Sequence, residues 1–182
     1  VAALGLMPIS VSAIIGVGFL LILGCLTWQD VAKSLSTRVI MIIVASLALG
    51  KALMITNMAS YLAGSFVAVS AGLPIPLILS LFMLIMSVMT NIVSNNAAAV
   101  IGTPIAISIA TQLNVDPEPF VLAVLFGANM SYATPFGYQT NLLILSAGGY
   151  KFSDFLRVGI PLTIIMWLGF SMVLPTLYGL WG

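Results

Sequence analysis

Residues 90–96, Thr-Asn-Ile-Val-Ser-Asn-Asn, place Thr90, Asn91, Ser94, Asn95 and Asn96 together inside an otherwise apolar stretch. PLILSLFMLIMSVM (76–89) precedes them and AAAVIGTPIAISIATQL (97–113) follows. None of these side chains is charged, so the chemistry on offer is ion coordination by neutral oxygens and dipoles. If a helix restarts within the segment, Ser94 or Asn95 serves as its N-cap, and the free N–H groups of its first turn face an anion. The carbonyl end of the preceding helix, near Thr90–Val93, carries partial negative charge and suits Na⁺. One break thus offers a cation site beside an anion site, with no Arg or Lys. A second break follows at ATPFGYQTN (133–141), where Pro135 and Gly137 interrupt an apolar run. An isolated Asn or Ser in a membrane helix usually only bonds to a neighbouring helix, worth roughly 0.6–2 kcal/mol. That reading fits Thr103, Ser108 and Ser146. The density of polar residues at 90–96, followed by a second break, points instead to a binding site.

The rest of the chain decides what kind of protein holds such breaks. Its 182 residues include five Lys+Arg, four Asp+Glu and no His, and 62% are hydrophobic. Charged residues make up 5%, against about 25% in soluble domains. A net charge of +1 gives no basic field for nucleic acid. A single cysteine, Cys25, allows no internal disulfide, and the lack of His disfavours zinc and haem sites. Ser94 has no sequence-adjacent His or Lys to act as a base, so no catalytic constellation is visible and an enzyme is not expected. The class that remains is an integral membrane protein. The apolar runs do not alternate with period two, so helices are expected rather than barrel strands.

Charges mark the loops. A first crossing is expected over 4–27 and a last one over 158–180, with Trp28, Tyr178 and Trp181 at their ends. Residues 37–53 form a crossing whose Lys51 snorkels, and 54–72 form a separate helix. A single tilted helix is the alternative. The apolar arms 76–89 and 97–113 reach only about 21 and 25 Å, short of a hydrocarbon core about 30 Å thick. A re-entrant hairpin over 74–113, its polar tip at mid-membrane depth, fits better than two full spans. Residues 119–147 form one crossing with a broken middle. This count puts the Lys33/Arg38 and Lys151/Arg157 loops on one side, cytoplasmic by the positive-inside rule, and Asp116/Glu118 on the other. Val1 lies inside an apolar run with no basic segment before it, so the chain reads as part of a longer polypeptide.

TNIVSNNAAAVIGTPIA, ANMSYATPFGYQTNLLIL and KFSDFLRVGIPL resemble the divalent anion/sodium symporter family, within the wider superfamily of sulfate, dicarboxylate and citrate carriers. The resemblance covers nearly the whole chain, is densest over 85–165, and is similar to the second of two inverted repeats. It implies an all-α polytopic half-transporter with a re-entrant hairpin and a discontinuous helix. Residues 1–73 would be scaffold-type helices, 74–149 transport-domain elements and 150–182 a final helix. It also implies a homodimer and a further, N-terminal repeat. The family's Ser-Asn-Thr triplet reads Ser94-Asn95-Asn96 here, with the third position departing. By resemblance, Ser94, Asn95 and Asn96 take part in anion binding, with Thr134 and Pro135 beside the substrate. Thr90, Asn95 and the carbonyls of Val93 and Ala133 would hold Na⁺. Asn96 and the GYQTN insertion suit an inorganic oxyanion such as sulfate as well as a dicarboxylate.

The expected function is secondary active symport of such an anion, coupled to Na⁺ and working by alternating access in the lipid bilayer of a plasma (inner) membrane. The lack of intramembrane Asp, Glu and His favours Na⁺ over protons. The rivals are a channel whose filter is built from the same breaks and a non-transporting subunit whose polar residues only bond helices together.

Overall fold

The computed structural model describes residues 7–34 and 37–181. The chain forms two compact units, Val1–Ile43 and Val44–Gly182. In the first, α1 spans Ile9–Ile22 and α2 spans Trp28–Ser34. Gly24 stops α1 by adopting φ +69, the left-handed conformation glycine takes at no steric cost. Thr27 and Asp30 then open α2 reciprocally. The Thr27 N–H donates to the Asp30 carboxylate at 3.0 Å and the Asp30 N–H to the Thr27 hydroxyl at 3.3 Å. The Thr27 hydroxyl also donates to the Asp30 carboxylate at 2.6 Å; this bond first, and the Thr27 N–H second, hold the Asp30 carboxyl below its ordinary pKa.

Helix α3, Thr37–Ile55, enters the second unit, which continues with α4, Met58–Val69. The segments Leu47–Ile55 and Met58–Val69 meet at 71°, and Asn57 takes the corner at φ 55. Residues 54–72 therefore do hold a separate helix, and the single tilted helix is not formed. Next come α5 (Ile75–Ile92), α6 (Asn95–Leu113), α7 (Glu118–Asn129), α8 (Gln139–Ala147) and α9 (Phe152–Leu177). Proline starts and asparagine stops account for the boundaries. Pro74 precedes α5 in the extended conformation, Asn114 ends α6 at φ 57 and Pro117 precedes α7. Every regular element among the described residues is helical. Helices α5, α6 and α9 are each long and apolar enough to cross a membrane, as is the bent α3–α4 pair, and the protein is integral to the membrane.

Close packing in the second unit places glycine at the crossings. Helices α5 and α7 run parallel: Phe82 meets Phe120 with ring centroids 6.4 Å apart, and Thr90 reaches Ala128. Between them, a Cβ on Gly127 would lie 2.7 Å from the Met83 carbonyl. Helix α6 folds back along α5, where a Cβ on Gly102 would lie 2.8 Å from the Met86 sulfur. Helix α9 then returns antiparallel to α7. Gly159 sits against the Tyr132–Ala133 backbone, Phe126 and Phe170 stack at 4.1 Å, and Tyr178 donates to Glu118 at 2.7 Å. The Trp167 indole N–H donates to the Ser80 carbonyl at 2.9 Å, tying α9 to α5.

Two elements differ from the expected layout. Thr90–Ile92 and Asn95–Asn96 are helical, so the first break narrows to Val93–Ser94. Helices of 18 and 19 residues measure about 27 and 28 Å, so their length does not require a re-entrant path. The return of α6 along α5 is common to a re-entrant hairpin and to two full spans. Helix α9 starts at Phe152, within the final helix expected over 150–182, because the Asp154 carboxylate accepts the Lys151 N–H at 2.8 Å and caps it. The Asp116–Glu118 turn lies at the Tyr178 end of α9 and Lys151 at the other. These ends are 26 residues apart, or about 39 Å.

Candidate ion and anion site at the two helix breaks

Two extended residues make the first break: Val93 at φ −106, ψ −172 and Ser94 at φ −79, ψ 154. Ser94 caps α6, its hydroxyl accepting the Ala97 N–H at 3.3 Å. The Asn95 side-chain oxygen accepts the Asn96 N–H at 2.8 Å. The Asn95 N–H donates to the Gly137 carbonyl at 3.1 Å, and the Ala98 N–H to the Ser94 carbonyl at 2.9 Å. All four first-turn N–H groups are therefore occupied, and the expectation that they stand free at the tip is not met.

The second break, 130–138, lies directly against the first, and one residue makes most of the connection. The Asn91 amide NH₂ donates to the carbonyls of Ser87 (2.8 Å) and Met130 (2.9 Å). Its side-chain oxygen accepts the N–H groups of Ala133 (3.0 Å) and Thr134 (3.1 Å). Its backbone carbonyl accepts the Thr134 hydroxyl at 2.7 Å. Asn141 closes the break from the far side, donating to the carbonyls of Ser131 (2.8 Å) and Thr134 (3.2 Å). Gly137 is required here: a Cβ on it would lie 2.8 Å from both the Thr90 carbonyl oxygen and the Ser131 Cβ.

The residues expected to bind ions converge on this joint. Thr90 is fully buried, and its hydroxyl donates to the Ala128 carbonyl at 2.7 Å. Ala133 and Pro135 are buried, Asn95 and Thr134 are half-buried, and Val93, Ser94 and Asn96 are exposed. The lining is neutral, with a positive helix end from α6 beside a negative one from α5. Among the described residues, no group of His, Cys, Asp or Glu gathers as metal ligands. Beyond the Tyr132–Ala133 backbone lies a cavity of about 300 Å³, mostly apolar, bounded by Asn141, Phe155 and Val158. Asn91 and Asn141 were not singled out from the sequence. Their type alone did not mark them, since an amide that mends a broken backbone looks like one that binds an ion.

Helices of this length and apolarity mark an integral membrane protein, and two interruptions bonded to each other are the kind of arrangement on which transporter sites are built. The particular family follows from comparison: the chain belongs to the citrate transporter family, which it matches over residues 1–181. It is 37% identical over 180 residues to the uncharacterized transporter sll0640 of Synechocystis, covering 98% of this chain and 29% of that protein. It is 29% identical to the uncharacterized transporter YfbS of Escherichia coli, covering 85% of this chain and 25% of that protein. Sodium/sulfate cotransporter 1 of Chlamydomonas reinhardtii is 27% identical, with 88% and 19% covered. The chain thus spans less than a third of the length of these relatives. The family is one of transporters, not of enzymes.

Proposed function

We propose that this chain supplies the C-terminal half of a Na⁺-coupled anion symporter, and that the joined breaks form its ion and anion site. The observation that carries this reading is the Asn95–Gly137 hydrogen bond. It seats the N-terminus of α6 on the second break, so that a cation held there lies next to an anion at the helix end. Thr90, Asn95 and the carbonyls of Val93 and Ala133 hold Na⁺. Ser94, Asn95 and Asn96 bind the anion, beside Thr134 and Pro135. Na⁺ offsets the charge of an anion that a low-dielectric site would otherwise exclude. Sulfate is the first anion to test, because the relatives include sodium/sulfate cotransporters; dicarboxylates and citrate come next. The working carrier includes a second, inverted repeat and is a homodimer in the plasma (inner) membrane. Residues 74–149 move against the scaffold, and the Lys33 and Lys151 loops face the cytoplasm.

The test is uptake by the full-length protein in liposomes, across a panel of oxyanions and carboxylates, with and without an inward Na⁺ gradient. Saturable uptake of one anion class that rises with the gradient is the expected result. Flux that neither saturates nor responds to Na⁺ would overturn the symporter in favour of a channel.

A further inference from the structure

We infer that Asn91 is a positioning residue that sets Na⁺ affinity by latching the second break to the end of α5. This rests on the symporter reading above and assigns a role to a side chain outside its proposed ligand set.

Asn91 is the last polar residue of α5, three positions before the tip serine. One amide proton goes back to the Ser87 carbonyl in its own helix; the other proton and the side-chain oxygen reach backbone groups across the joint, at Met130, Ala133 and Thr134. Only a primary amide provides two donors and a two-fold acceptor in this shape. Asp lacks the donors, and Leu, of similar size, lacks both. Two of the bonded groups fix the ligand geometry. A trans peptide holds its N–H and C=O in opposite directions, so fastening the Thr134 N–H to Asn91 sends the Ala133 carbonyl the opposite way. That carbonyl is a proposed Na⁺ ligand, and Asn91 decides its aim without touching the ion. A further bond, from the Thr134 hydroxyl to the Asn91 backbone carbonyl at 2.7 Å, anchors the Thr134 side chain at the end of α5. With Asn95 bonded to Gly137, the tip and the second break are held at two points rather than one. Losing the Asn91 side-chain contacts leaves the Thr134 hydroxyl on the Asn91 backbone carbonyl but frees the plane of the Ala133–Thr134 peptide to rotate while the tip stays seated.

Two measurements on the full-length protein test this. In the first, Asn91→Leu and Asn91→Ala, which both remove the oxygen that holds the Thr134 N–H, are compared with wild type for the Na⁺ dependence of uptake in liposomes, normalised to the amount of carrier incorporated. The latch requires the Na⁺ concentration for half-maximal uptake to rise by about fivefold or more in both variants. A lower maximal rate at an unchanged half-saturating concentration would overturn it, since a merely structural residue changes how much carrier is active and not how tightly it holds Na⁺. The second measurement needs no variant. The Ala133 and Thr134 amides lie outside regular helix, yet the latch requires them to exchange hydrogen slowly. Rapid exchange at both in wild type would overturn it as well. Wild-type uptake indifferent to Na⁺ would instead refute the symporter reading, and the exchange measurement would still decide whether Asn91 holds the joint.

Discussion

The backbone N–H of Asn95 donates to the carbonyl oxygen of Gly137 at 3.1 Å, bonding one helix break to another. The contact depends on Gly137 having no side chain, since a Cβ there would press on the Thr90 carbonyl oxygen at 2.8 Å. Gly137→Ala should therefore separate the breaks or strain them. Overpacking of this kind costs about 1–3 kcal/mol. The expected outcome is a lower thermal unfolding midpoint in detergent together with weaker uptake. A variant with wild-type stability and wild-type uptake would show that the breaks do not depend on this close approach.

How much of this was legible in the sequence varies by residue. The boundaries at Pro74 and Pro117 were legible, because a missing proline N–H acts locally, whereas Lys51 lies inside α3 and marks none. Thr90–Asn91 and Asn95–Asn96 look like loop by polarity, but they are helical. The Thr90, Asn91 and Asn95 side chains bond backbone groups instead of breaking the helix. The meeting of the two breaks was expected only through resemblance. The part played by Asn91 was not legible at all, because it depends on which distant carbonyls and N–H groups lack partners, and only the folded arrangement determines that.

Glycines in α9 separate packing from propensity. A Cβ on Gly159 would meet the backbone of Tyr132 and lie 2.6 Å from the Ala133 Cα, whereas nothing lies within 4 Å of one on Gly169. Gly159→Ala should displace the second break and reduce both stability and uptake. Gly169→Ala adds helix propensity of up to about 1 kcal/mol with no clash, and should match or exceed wild type. Parallel thermal unfolding and uptake assays check the pair, and equal losses in both variants would refute the packing of α9 on the break.

The Tyr178–Glu118 contact predicts an alkaline sensitivity. The phenol donates to the carboxylate at 2.7 Å. That hydrogen bond, followed by desolvation and the charges of Glu118 and Asp116, raises the Tyr178 pKa above its ordinary 10.0. The folded protein thus holds the phenolic proton more tightly than the unfolded chain does. The stabilisation is complete below the unfolded pKa and is lost as pH rises through the raised folded value. Tyr178→Phe should flatten the decline in unfolding temperature between about pH 9 and pH 12. An unchanged alkaline decline would show that the contact contributes nothing.

The central claim is that one helix tip serves cation and anion together, and Asn95 is where it is most exposed. Its side-chain oxygen is the proposed Na⁺ ligand, and its amide faces the anion. The most direct measurement is the Na⁺ and anion concentration dependence of uptake by the full-length protein carrying Asn95→Ala or Asn95→Asp, with Ser108→Ala as control. Asn95→Ala should weaken both dependences about ten- to a hundredfold, the loss of a charge-assisted bond of roughly 1.5–3 kcal/mol, because the two bindings are linked. Asn95→Asp should spare Na⁺ and repel the anion. Ser108 sits further along α6 in 3.4 Å contacts with Ser60 and Gln112 and should be nearly silent. If Asn95→Ala leaves both curves where wild type has them, the tip only holds helices together, and the site lies elsewhere.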